Sequence, residues 1–232
     1  MIQTLAGTRY FTPLREGGSL PAVVEAADGQ LYVMKFAGAG QGPKALIAEL
    51  IAGEIARSLG LRVPELVFLT LDATLARSEP HQEIQDLLLA SAGRSAIVWF
   101  DAYVTNVDRT PRNVNLLIWR ESLWLIDHGA ALYFHHGWDN YLARSQSPFP
   151  LIKDHTLIAF ASALPEADIV LRPLLTEPLI RSIVELVPEE WLEGGTAFSS
   201  PAEHRPAYAT YLLKRLESSA FLEEAIRVHE HV

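Results

Sequence analysis

The stretch from residue 104 to 132, VTNVDRTPRNVNLLIWRESLWLIDHGAAL, constrains the fold of this chain more than any other. Asp108 is followed five residues later by Asn113. An apolar run comes next, Leu116-Leu117-Ile118-Trp119, then a polar break at Arg120-Glu121-Ser122, then a second apolar run from Leu123 to Ile126. Short apolar runs separated by a polar break read as the two strands of a β-hairpin. The second run ends in Asp127-His128-Gly129. A loop, a hairpin and an acidic residue at the hairpin's exit bring two carboxylates and one carboxamide back to one end of a small sheet.

Phosphoryl transfer in protein-kinase-like sites uses such a set. One Asp orients the hydroxyl nucleophile, an Asn five residues on holds Mg²⁺, and a second Asp ahead of a Gly holds the metal on the phosphates. Each half alone is weak, because Asp and Asn are common turn residues and Asp-x-Gly is an ordinary turn. The order of the two halves and the hairpin between them lift the pattern above a plain hairpin with polar turns.

Composition narrows the class. At 232 residues, with 49% hydrophobic and 20% charged residues, one or two compact domains with a sizeable core are expected. No apolar run approaches the roughly 20 residues that span a bilayer. The opening MIQTLAGTRYFTPLREGG lacks the basic start and apolar stretch of a signal peptide. Cysteine is absent, which removes disulfide and thiolate chemistry, and a cytoplasmic protein without a membrane partner is the expectation. A net charge of −9 makes direct nucleic-acid binding unexpected. No zinc-ligand spacing, H-E-x-x-H or Gly-x-Ser-x-Gly occurs, and His135-His136 reads as a loop feature.

The N-terminal third reads as strand-rich with one helix. Residues 22–26 form a short strand, Asp28-Gly29 a tight turn, and residues 31–36 the next strand. Alternation puts Leu31, Val33 and Lys35 on one face and Tyr32, Met34 and Phe36 on the other. The chain has only four lysines against fifteen arginines, so one in mid-strand stands out as a candidate to grip a nucleotide's phosphates. Gly17-Gly18-Ser19 lies before the first strand of that hairpin, where glycines let backbone N–H groups approach phosphate oxygens. A helix is expected from Pro43 to about residue 59, ending at Gly60, with Glu49 and Glu54 as its two acids. Small neighbours around Glu49 favour it over Glu54 as the partner of Lys35. Residues 62–69 read as a further strand.

These residues carry a resemblance to a known family. The segment from Gly17 to Leu66, joined to DRTPRN and LWLIDHGAAL, resembles the HipA-like kinases, relatives of protein kinases and phosphatidylinositol kinases. The resemblance covers most of residues 10–160. It is specific at the Lys strand, at the helix with its Glu before Leu-Gly-Leu-x-Val-Pro, and at the Asp-Arg-x-x-x-Asn loop with its downstream Asp. It implies that Lys35 binds the α- and β-phosphates of ATP, Glu49 holds Lys35, Asp108 is the catalytic base, and Asn113 and Asp127 are the Mg²⁺ ligands. It also implies a nucleotide-side loop at Gly17, Gly18 and Ser19, with Ser19 a candidate phosphorylation site. Two departures stand out. Thr110 replaces the His of the phosphatidylinositol-kinase Asp-Arg-His loop, and the segment that would normally form the adenine hinge is short.

The rest reads as helical. Residues 152–164 form one segment stopped by Pro165, residues 176–187 another, and Ser200-Pro201 opens a last helix running toward Val228. His155, Asp154 and Trp191 read as packing or surface residues. The expectation is therefore an α+β, two-lobed protein-kinase-like fold. A small mixed, β-rich N-lobe spans 1–93 and a mainly helical C-lobe 94–232. The expected activity is ATP- and Mg²⁺-dependent transfer to a hydroxyl, foremost a Ser or Thr of an unidentified protein. A small-molecule or lipid kinase, or a nucleotide-binding module without turnover, are the alternatives.

Overall fold

A computed structural model describes residues 2–13, 21–35, 42–70, 91–120, 122–193 and 197–232. Two compact units emerge, Met1–Leu46 with Glu65–Gln85, and Ile47–Pro64 with Asp86–Val232. The first is sheet-rich and the second mainly helical, so the chain is α+β.

The smaller unit holds a four-stranded sheet in the order β3-β2-β1-β4. β1 spans Thr4–Pro13, β2 Ala22–Ala26, β3 Leu31–Met34 and β4 Phe68–Thr70. β2 and β3 form the expected hairpin around Asp28-Gly29. Gly29 takes φ +76°, which glycine adopts without steric cost, and Asp28 accepts the backbone N–H of Gln30 at 3.0 Å and the Tyr32 hydroxyl at 2.8 Å. Ala22, Val24 and Met34 pack into a small core with Leu69 against it. On the other face Leu31 and Val33 are 60% and 61% exposed, so the face that alternation gives to Lys35 is an open apolar surface. Strand β3 ends at Met34, two residues short of expectation, and Lys35 follows directly.

β1 was not foreseen. It pairs antiparallel with β2 through two register shifts and parallel with β4. The expected strand at 62–69 contracts to Phe68–Thr70. Pro64 has no N–H to give a ladder, and Arg62 instead lends its carbonyl to Leu125 N–H at 2.7 Å.

Helix α1 spans Pro43–Ser58 and enters the larger unit at Ile47. Pro43 suits its first turn. Its end is set by Gly60 at φ +75°, with Leu61 N–H bonding Ala56 O and Gly60 N–H bonding Arg57 O, a Schellman closure. Helix α2, Ser91–Tyr103, runs through the middle of this unit. Trp99 stacks on Tyr103 and meets Phe221 edge-on, each pair 5.5 Å apart. The expected hairpin is β5, Leu116–Trp119, paired antiparallel with β6, Ser122–Leu125, with Leu116 opposite Leu125 and Trp119 opposite Ser122. α3 follows at Tyr141–Ser145.

Three helical expectations need correction. Residues 152–164 are not one helix but short 3-10 turns at Pro150–Asp154 and Ile158–Phe160. Pro165 starts α4, Leu164–Leu171, rather than stopping a helix, because proline's missing N–H costs nothing in a first turn. Ser200 caps α6, Pro201–Leu216, but the chain breaks before α7, Ala220–His229. Between α4 and α6 lies α5, Glu177–Val184, shorter than the expected 176–187 and capped by Thr176.

Candidate active site

The DRTPRN segment explains itself locally. Thr110 and Asn113 exchange both backbone hydrogen bonds at 3.0 Å around Pro111-Arg112, a tight turn with proline in its favoured second place. The turn folds Asn113 back on Asp108, whose Oδ2 accepts from Asn113 Nδ2 at 2.7 Å. Asn115 comes next, at φ 48°, a left-handed conformation that Asn tolerates well. Its carbonyl accepts from Ile126 N–H at 3.1 Å, which registers the hairpin and sets Asp127 beside the loop. Its Nδ2 lies 3.4 Å from Asp108 Oδ2 and 3.5 Å from the Asp127 carbonyl. Asp127 is itself left-handed, at φ 52°, and its Oδ1 accepts from Gly129 N–H at 3.4 Å.

Asp108, Asn113 and Asp127 thus converge at one end of the hairpin, where spacing put them. Partial burial raises the Asp108 pKa, and the Asp127 charge adds to the rise, while the amide donors and Arg109 oppose it. The Asn113 amide nitrogen is committed to Asp108, which leaves its oxygen to face a cation. That oxygen and the Asp127 carboxylate are the hard donors Mg²⁺ takes. Among the described residues no group of three or more His, Cys, Asp or Glu gathers to hold a metal alone. An amide oxygen and one carboxylate could fill only part of a Mg²⁺ shell, which commonly keeps several waters.

The sequence did not reveal the floor under this loop. Arg109, 1% exposed, donates from Nε to Asp101 Oδ2 at 2.6 Å and from a terminal nitrogen to the carbonyls of Asn115 and Ile126. Asp101, on α2 and fully buried, also accepts from Asn106 Nδ2 at 2.8 Å and from His155 Nε2 at 2.9 Å. His155 is therefore a buried packing residue that also binds a carboxylate. Its Nδ1 accepts Leu157 N–H at 3.0 Å, which fixes the proton on the nitrogen facing Asp101. Burial alone would push the Asp101 carboxyl up, but the Arg109 charge and the His155 hydrogen bond more than offset it and hold it well below the usual carboxylate range. Thr105, at the loop's entrance, sits at φ 52°, a costly place for a β-branched residue.

Of the two α1 acids, Glu54 pairs with Arg57 of its own helix at 3.1 Å. Glu49 points Oε1 at His128 Nδ1, 3.6 Å away, immediately after Asp127. His128 is buried, edge-on to Phe100 with ring centroids 5.8 Å apart. Lys35 belongs to the smaller unit, at the end of β3. Gly17, Gly18 and Ser19 lie outside the described residues, as does the short inter-lobe segment expected to carry the hinge.

A family model described as HipA-like kinase matches residues 9–92 and 85–225. No curated protein matches the chain. Among solved structures, the Helicobacter pylori proinflammatory kinase CtkA aligns over 95% of both chains, with a TM-score of 0.57 and 16% identity. That likeness is one of fold, and the fold is kinase-like. Among the described residues no helix is long and apolar enough to cross a membrane.

Proposed function

We propose that this chain, which belongs to the HipA-like kinase family, moves the γ-phosphoryl group of ATP, with Mg²⁺, onto a hydroxyl, foremost a Ser or Thr side chain of a protein. Kinase chemistry comes with the family. The observation that supports this assignment of residues is the turn placing Asn113 Nδ2 2.7 Å from Asp108 Oδ2, with Asp127 two residues past the returning strand of the following hairpin.

Asp108 is assigned as the base. It accepts a hydrogen bond from the acceptor hydroxyl and takes its proton as the new P–O bond forms and the bond to the β-phosphate oxygen breaks, releasing ADP. Its raised pKa makes it a stronger base than an ordinary Asp. The Asn113 oxygen and the Asp127 carboxylate are assigned to Mg²⁺, which when bound neutralises charge on the phosphates. Lys35 is assigned to the α- and β-phosphates, and the loop at Gly17, Gly18 and Ser19 to the nucleotide. Glu49 keeps its assignment as the acid for Lys35, on its small neighbours and its place before the Leu-Gly-Leu-x-Val-Pro run. Little covalent work falls to the protein, so positioning and charge must supply the rate.

The test is incubation with γ-labelled ATP and Mg²⁺, with and without cell extract, followed by phosphoamino-acid analysis. Label on Ser or Thr of protein supports the reading. Label only in lipid or small-molecule fractions overturns the acceptor, and ATP binding without transfer overturns turnover. Thermal stabilisation by Mg-ATP should be lost in Asp127→Asn and kept in wild type.

A further inference from the structure

The assigned roles leave the most heavily bonded carboxylate of the site unused. Asp101 lies seven residues before Asp108, on α2, with no exposure to solvent. A charge in that position is costly unless fully paired. Two of its three side-chain partners, Asn106 and Arg109, lie on the loop. Through Oδ1 it holds Asn106 Nδ2 at 2.8 Å, and Asn106 Oδ1 in turn accepts the backbone N–H of Asp108 at 3.1 Å. Through Oδ2 it holds Arg109, whose guanidinium spans the carbonyls of Asn115 and Ile126, one on each side of the gap between the loop and Asp127. His155 takes up Oδ2 from a third direction at 2.9 Å, and the Arg109 carbonyl accepts Thr156 N–H at 2.9 Å, so the turn carrying His155 is tied to the same loop.

We infer that Asp101 is a positioning residue for phosphoryl transfer, setting Asp108 through Asn106 and the spacing of Asp108 and Asp127 through Arg109. This rests on the roles proposed above for Asp108 and Asp127. Asp101 does not meet the reacting atoms. Its contribution is to keep two oxygens that must act together from drifting, and a displacement of about 1 Å at such a site can cost on the order of 100-fold in rate. Arg109 is committed on the inner side of the loop and serves this frame, not the surface.

The decisive experiment compares wild type, Asp101→Asn, Arg109→Gln and the double variant, with γ-labelled ATP and Mg²⁺ as the probe. Amide hydrogen exchange of the ligand-free chains is measured alongside. Asp101→Asn should lower kcat at least tenfold with KM for ATP within twofold of wild type. Exchange should quicken at residues 106–110 and 126–129 well beyond any uniform loss of protection in the rest of the larger unit. Adding Arg109→Gln to Asp101→Asn should cost little beyond the single variants, because both break one chain of contacts. Wild-type kcat in Asp101→Asn overturns the inference. So does a fall in kcat matched by a large rise in KM and exchange that quickens evenly throughout the unit, which marks a merely structural role. Should Asp101→Asn not fold, Asn106→Ala cuts the path to Asp108 while leaving the ion pair, and it must show the same kcat loss at constant KM. A wild-type chain that transfers no phosphate defeats the phosphotransferase reading instead. The exchange data then decide for Asp101 alone, and unchanged protection at 106–110 and 126–129 overturns it.

Discussion

Asp101 and Asp108 are the same residue type, seven positions apart, on opposite sides of one loop, and their surroundings drive them in opposite directions. The inner side is buried, with a cation, a histidine and an amide on one carboxylate, and its pKa is held far down. The outer side is half-buried and offers Asp108 only amide donors beside another carboxylate, and its pKa is pushed up. The first environment stabilises charge and secures the fold. The second leaves a basic oxygen available to a reacting hydroxyl. A loop that must be rigid beneath and reactive above separates the two tasks by side.

The largest expected contrast is in activity. Asp108→Ala should take phosphoryl transfer below detection while leaving ATP binding and melting temperature near wild type, since the base touches the acceptor and its charge does not hold the fold. Turnover near wild type in this variant removes Asp108 from its role and dissolves the contrast. Next in size is stability. Asp101→Ala leaves Arg109 buried without its counter-ion and should cost about 3–5 kcal/mol by chemical denaturation, as broken buried pairs do. If Asp101→Ala and Asp108→Ala destabilise equally, the division of labour between the two sides is wrong.

The outer side was largely legible in the sequence and the inner side was not. Asp108, Asn113 and Asp127 sit in short-range devices, a proline-containing turn and a hairpin, whose geometry follows from a few neighbouring residues. The ends of α1 were legible for the same reason, through Pro43 and Gly60. Asp101 and His155 are 54 residues apart and meet only through tertiary packing. One signal was present: Asp101 is the sole charge in the apolar run Ala96-Ile97-Val98-Trp99-Phe100-Asp101-Ala102-Tyr103-Val104, and a charge there demands a partner. Asn115 was hidden by Asn113, which took the expected spacing. β1 escaped because Gly7 and two register shifts break its alternation and its partner β4 lies some 60 residues on. Pro165 was misjudged because proline both ends and begins helices, and only the following turn tells which.

A third expectation carries the comparison to α1, where two acids again face different surroundings. Glu49→Gln should lower transfer at least tenfold, about 1.4 kcal/mol of transition-state stabilisation, while Glu54→Gln should alter only its surface pair with Arg57, with little effect on rate. The opposite ranking in steady-state assays would overturn the choice of Glu49.

The smallest effect is the most direct reading of the opposed shifts. A carboxyl whose folded pKa is raised is disfavoured in its charged form by the fold, so above that pKa it subtracts from stability, and the penalty fades as acid protonates it. Asp108→Asn removes the charge at nearly constant shape and should therefore raise the melting temperature slightly at pH 7, on the order of a degree, because a half-exposed carboxylate is well screened. The gain should shrink as pH falls through the raised folded pKa and be gone below the unfolded value near 4. Asp101 carries the opposite sign. Its folded pKa is depressed, so its contribution is complete above the unfolded value near 4 and is lost only as pH falls below it. Melting curves of wild type, Asp108→Asn and Asp101→Asn between pH 7 and pH 3 test both signs at once. The Asp108→Asn curve should converge on wild type from above, and the Asp101→Asn curve should begin to approach it from below as the unfolded wild-type chain takes up a proton that folded Asp101 does not. An Asp108→Asn variant that is less stable than wild type at pH 7 would show that the outer carboxylate also holds the fold, and the separation of tasks across the loop would then fail.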